Sequence, residues 1–381
     1  MLHGLVLRKV PMSTRVREIL EINSLTSLRA FAALYVLSMH FDGAFGPITY
    51  PIHYFSPILS SGYIGVDMFF ILSGFIMYLI YERSLKNITK TQVRKFLIAR
   101  FARIYPIHLF TLSIWLLIMV IVTAGQSQPT PHGGFYSQEN TIFSFLTNLL
   151  LIHSWGIHDK MTWNGISWSI SAEWFAYLLF PALVYALRPV TSSRAALSVA
   201  TAAFVVLVAF VESYGSLDVG VNYGLLRIAC EFVIGMCVFR IYKNINSLNL
   251  SAPLIDVMII LCIGAVFLVI QFRIADIASV PAIAAIIGLA ALERGWVAGI
   301  LSWSLLVYLG RISYSIYMVH VLVRTAYVEF AKPHVGALLA ESYPLSAAVT
   351  AIMVALTVGV AAFTFKFVEN PARVAIRRRF G

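Results

Sequence analysis

SLRAFAALYVLSMHF, residues 27–41, decides how the chain is read. The stretch is apolar apart from a few small polar residues and two ionisable ones, Arg29 and His40. Eleven helical steps of about 100° come to about 1100°, roughly three turns plus 20°. The two side chains therefore share one helix face, about 16 Å apart along the axis. Hydrocarbon is an expensive place for either group. Ionisable residues within a membrane segment face the protein interior or a wet cavity, and they are read as functional by default.

The rest of the composition agrees. The chain has 381 residues, 60% of them hydrophobic and only 12% charged. A soluble domain carries about a quarter charged residues. The expected fold is all-α, a polytopic integral membrane bundle of about ten transmembrane helices with both termini cytoplasmic. The formal charge of +11 does not point to nucleic acid, because Lys and Arg fall in short clusters between apolar stretches. That is the positive-inside pattern of a membrane protein. Cys230, Cys237 and Cys262 lie inside apolar stretches without metal-ligand spacing and read as small buried hydrophobes. No metal is expected. The first 23 residues are polar and mixed in charge, unlike a cleavable signal peptide.

Apolar stretches occur near 24–42, 60–81, 104–124, 167–187, 196–212, 222–241, 254–271, 277–292, 301–323 and 344–367. IFSFLTNLLLI, residues 142–152, is short and holds Asn148, so it reads as re-entrant or interfacial. Arg8, Lys9, Arg15 and Arg17, the run from Arg83 to Arg103, and Arg373, Arg377, Arg378 and Arg379 all fall inside on this count. Three pieces follow: a cytoplasmic segment 1–23, a membrane domain 24–371 and a basic cytoplasmic tail 372–381. Depth then sorts the polar groups. His40, Asp67, Glu173 and His320 gather toward the outside, and Arg29, Arg100, Arg103 and Arg311 toward the inside. An anionic cytosolic ligand suits the arginines, and imidazole suits proton transfer at the other end.

Each residue also has a bland reading. Arg100 and Arg103 snorkel to the phosphates of membrane lipids. Glu173 serves as a structural partner of an arginine. His320 bonds a backbone carbonyl between helices. Asp67 braces the helix turn after Gly65. Arg227 and Glu231, four apart, neutralise each other. Small residues in GVDMFFILSGF let helices approach closely, and the hydroxyls of GRISYSIYMVH line a polar groove.

At these residues the chain resembles acyltransferase family 3, membrane proteins that O-acylate surface and secreted glycans. The matching pieces, in order, are the Arg-x10-His of the first span, GVDMFFILSGF (65–75), RFARIYP (100–106), WSISAEWFAYLLFP (168–181), GRISYSIYMVH (310–320) and FVENPAR (367–373). The family's arginine and histidine fall on Arg29 and His40, its basic pair on Arg100 and Arg103, and its serine–glutamate–tryptophan element on Ser171, Glu173 and Trp174. The resemblance implies a transferase in a bacterial inner membrane, with acetyl-CoA or another acyl-CoA as donor. The implied acceptor is a glycan or lipid-linked saccharide. On this view His40, Glu173 and Arg29 are catalytic. Arg29, Arg100, Arg103 and Arg311 hold the donor. Asp67, Ser171, Trp174 and His320 shape the acceptor site. The competing class is a transporter or flippase for a glycan or lipid-linked sugar, since buried charges also mark carriers. No pair of matching Gly/Pro-broken spans supports it.

Overall fold

In a computed structural model the described residues are 22–42, 55–85, 88–125, 139–221 and 223–381, and among them every regular element is helical. The basic residues before 22 and most of the first loop lie outside the described residues. The helices are α1 (Asn23–Phe41), α2 (Ile64–Tyr81), α3 (Lys90–Gly125), α4 (Ile142–Leu149), α5 (Trp168–Ala186), α6 (Ser193–Tyr214), α7 (Gly224–Ile245), α8 (Ala252–Gln271) and α9 (Ser279–Ala290). Then come α10 (Trp296–Leu301), α11 (Ser304–Arg311), α12 (Ser313–Ala326), α13 (Lys332–Glu341), α14 (Tyr343–Thr364) and α15 (Asn370–Phe380).

Among the described residues, six helices are long and apolar enough to cross a bilayer, and the bent pair Ser304–Arg311 and Ser313–Glu341 makes a seventh. The chain is an all-α membrane protein. Three expected spans, 24–42, 222–241 and 277–292, do not pass on length and composition alone. Their shortfall has a physical cause. α1 carries Arg29, His40 and several serines. α7 carries Arg227 and Glu231. α9 has 12 residues. Yet α7 packs on α2, α6, α5 and α9, and α1 packs on α2, α11 and α12. Helices surrounded by protein do not need a fully apolar surface. A count of ten crossings rests on these three interior helices.

Two stretches differ from the single rods expected. The 301–323 stretch breaks into α11 and α12 with a 67° bend. A Cβ on Gly310 would sit 1.9 Å from the Thr26 carbonyl oxygen, so α11 lies backbone-to-backbone against α1 just before the break. The last helix does not stop at 367. α14 runs through a π-helical turn at Phe365–Glu369 into α15, so residues 372–380 are helical. The 142–152 stretch forms only the eight-residue α4, capped by Thr141 and Ser144, too short to cross.

The α2–α7 crossing is a second place where two helix backbones meet. A Cβ on Gly74 would lie 2.0 Å from the Phe232 carbonyl oxygen, and one on Gly235 would lie 2.0 Å from that of Ile71. The two backbones touch because both residues lack a side chain. Gly74→Ala is expected to destabilise the detergent-solubilised protein by about 1–3 kcal/mol or more, as overpacking does. A lowered thermal unfolding midpoint checks it. Gly264→Ala, where a Cβ meets nothing within 4 Å, is the control and is expected to leave the midpoint in place.

Candidate active site

A cavity of about 780 Å³ opens among α1, α2, α3, α5, α12 and α15. Its lining includes Arg29, Arg100, Arg103, Arg311, Arg373 and Arg377, and Glu173 is its one acidic residue. The four arginines expected from the sequence thus share one chamber, and Glu173, expected at the outer end with the histidines, lies among them instead. Arg373 and Arg377 join them from α15, four residues apart on one helix face.

Each charged group is held differently. The α3 pair is anchored by aromatic rings and by the end of the chain. Arg100 donates to Tyr81 Oη at 3.2 Å, with its guanidinium 5.3 Å from the Tyr81 ring and 5.8 Å from that of Tyr177. Arg103 pairs with Glu369, a fully buried carboxylate that also accepts from Ser315 Oγ at 2.7 Å. The Tyr314 ring covers Arg103 at 5.5 Å. Glu173 is fixed from α2 and from its own helix. Ser73 Oγ donates to its Oε1 at 2.5 Å and Tyr177 Oη at 2.6 Å. Arg29 is the exception: among the described residues it donates no hydrogen bond and makes no ion pair. Its electrostatic neighbours are Arg103, Glu173, Tyr177 and Glu369. A cation in a pocket with no dedicated counter-charge is ready for an anionic ligand.

The histidines form a second centre outside this chamber. His40 and His320 meet edge-on, ring centroids 4.8 Å apart. His40 Nδ1 lies 2.9 Å from the Val36 carbonyl oxygen, and His320 Nδ1 lies 2.6 Å from that of Tyr317. A carbonyl only accepts, so Nδ1 carries the hydrogen in both neutral rings and Nε2 carries the lone pair. His40 is half-buried, whereas His320 is buried and its Nε2 has no hydrogen-bond partner.

The remaining expected residues are dispersed. Glu173 binds Ser73 and Tyr177 and does not orient His40, whose orienting partner is the Val36 carbonyl. Asp67 is fully buried against Arg227 of α7, 2.7 Å from its Nη2, and Glu231 is a more distant second partner at 3.7 Å. Ser171 ties down the segment after α4: its Oγ donates to the Leu151 carbonyl at 2.8 Å and accepts from Ser154 N at 3.3 Å. Trp174 stacks edge-on against Phe101, 6.2 Å between centroids, and does not line the chamber. Among the described residues neither histidine lines the arginine chamber, and the Tyr317 ring, which does, lies 5.8 Å from the His320 ring. Ser73, Tyr177 and Glu369 are site residues that the sequence does not mark as such, and Arg373 and Arg377, expected only as part of a cytoplasmic tail, line the chamber. Tyr177 was within reach, since it lies four residues after Glu173 on the same helix.

Residues 22–366 match the model of an acyltransferase domain, that of acyltransferase family 3. Acyltransferase MdmB of Streptomyces mycarofaciens is 30% identical over 385 residues, covering 95% of this chain and 94% of its own length. The putative peptidoglycan O-acetyltransferase YrhL of Bacillus subtilis (strain 168) is 23% identical over 394 residues, covering 94% of this chain and 56% of its own length. No solved structure matches. Six ordered motifs, a cationic chamber among membrane helices and a match across most of the chain all agree: the protein belongs to acyltransferase family 3.

Proposed function

We propose that the protein is an O-acetyltransferase of a bacterial plasma membrane that moves acetyl from acetyl-CoA to a sugar hydroxyl on a surface or exported glycan. The cationic chamber carries this reading. Its size suits an extended ligand, and its arginines suit one bearing several phosphates. Arg29, Arg100, Arg103 and Arg311 hold the donor in this reading, joined by Arg373 and Arg377. The name of the Bacillus relative supports a glycan as acceptor.

The chemistry divides among few atoms. The alcohol oxygen forms a bond to the thioester carbonyl carbon, and the carbon–sulfur bond breaks. His40 Nε2 takes the alcohol's proton, which ends on the departing thiolate. Arg29 offsets negative charge near the donor, and Glu173 is the anchored anion that fixes the chamber's polarity. Arg29→Ala tests the donor assignment. One charge-assisted hydrogen bond is worth about 1.5–3 kcal/mol, so affinity for acetyl-CoA is expected to fall about tenfold to a hundredfold. Binding to the purified protein by calorimetry checks this, and unchanged affinity would remove Arg29 from the donor site.

A further inference from the structure

The arginine chamber and the histidine pair are adjacent, and Tyr317 borders both. Tyr317 lines the arginine chamber and is 5% exposed. Its ring centroid lies 5.8 Å from that of His320, which in turn meets His40. Neither histidine lines the chamber. Tyr317 Oη donates to the Ile166 carbonyl at 3.0 Å and lies 2.7 Å from Ser169 Oγ. Ser169 Oγ also reaches the Ile166 carbonyl, at 3.3 Å, so the two hydroxyls and that carbonyl form one hydrogen-bonded cluster in which either hydroxyl can donate to the other. Phe69 supports the ring edge-on at 6.1 Å.

We propose that Tyr317 is a movable partition between the arginine chamber and the histidine pair, latched by Ser169 and the Ile166 carbonyl. This rests on the acyl-transfer reading for its purpose, though the partition itself is a matter of geometry. A thioester seated among the arginines meets the base at His40 only when the ring swings aside. Two neutral hydrogen bonds make a latch that is easily released. While closed, the ring shields the thioester from water reaching the acceptor side. Tyr317 is thus a positioning residue and takes no part in bond making.

Side-specific thiol labelling tests the partition without any acyl donor. His40→Cys is placed in a chain whose Cys230, Cys237 and Cys262 are replaced by alanine. The membrane-impermeant anion sulfonatoethyl methanethiosulfonate is added to each face of sealed vesicles in turn. With Tyr317 intact, labelling is expected from one face only. With Tyr317→Ala it is expected from both. Tyr317→Phe keeps the ring and loses the latch, so entry through the chamber is expected to quicken about tenfold, the factor two neutral hydrogen bonds sustain. If the Ala variant does not accumulate, the Phe variant decides. Labelling from both faces with Tyr317 intact, or rates indifferent to its replacement, overturns the partition. Acetyl-CoA consumption by the unmutated protein reports separately on the acyl-transfer reading, so the two fail independently.

Discussion

Arg227→Leu is expected to leave little folded protein in the membrane. Arg227, Asp67 and Glu231 are all fully buried where α2 meets α7. The guanidinium donates to Asp67 through Nε at 2.8 Å, to the Tyr63 carbonyl at 3.2 Å and to that of Val219 at 3.4 Å. The Trp168 ring lies over it at 5.9 Å. One side chain therefore joins α2, the α6–α7 loop and α7, and it is the counter-ion of two carboxyl groups. Its removal strands acidic groups away from water, which costs about 3–5 kcal/mol. Total stabilities are about 5–15 kcal/mol, so the loss takes a large share. Membrane yield and the unfolding midpoint in detergent measure it. The triple change Arg227→Leu, Asp67→Leu and Glu231→Gln is expected to restore much of the yield, because it removes the stranded charge along with the cation. A single variant as stable as the parent would show that the pairing holds nothing together.

That cluster also shows where sequence reading stops. Spacing within one helix reveals Arg227 and Glu231 as neighbours, and they are. It does not reveal that Asp67, 160 positions earlier, is the closer partner. Without that contact, Asp67 reads as an acceptor-site residue or as a brace for the turn after Gly65, and it is instead the partner of Arg227. The same boundary runs through the active site. Helical phase puts Arg29 and His40 on one face, and depth sorting gathers four arginines at one end, where they share a chamber; the same sorting puts Glu173 at the other end with the histidines, whereas it lies among the arginines. Phase says nothing of Tyr317, an α12 ring that lines the chamber and lies 5.8 Å from the His320 ring. Nor does it show that Glu369, two hundred and more positions from Arg103, neutralises it from the π-helical turn before α15. Helices and their polar faces follow from local spacing. The choice of partner follows from which helices cross, and that depends on close approaches such as Gly74 on Phe232.

His40→Ala is expected to lower acetyl transfer by about 10² to 10⁴, the usual cost of losing a general base, while the protein accumulates normally. The two halves of this expectation have separate grounds. His40 is half-buried, and among the described residues its hydrogen bond goes to the Val36 carbonyl within its own helix, so no second described helix takes a hydrogen bond from it. That same bond fixes the tautomer and leaves Nε2 as the basic nitrogen. His40→Gln keeps a polar side chain of similar reach without a titratable nitrogen, and an equal loss is expected from it. Affinity for acetyl-CoA is expected to stay unchanged in both variants, because His40 does not line the arginine chamber. Transfer measured by ester formation on cell-surface glycans, together with calorimetric donor binding, separates the outcomes. Near-normal transfer removes His40 from the chemistry. A joint loss of rate and donor affinity would instead place its imidazole inside the donor chamber, and the partition at Tyr317 would then have to stand open in the working enzyme.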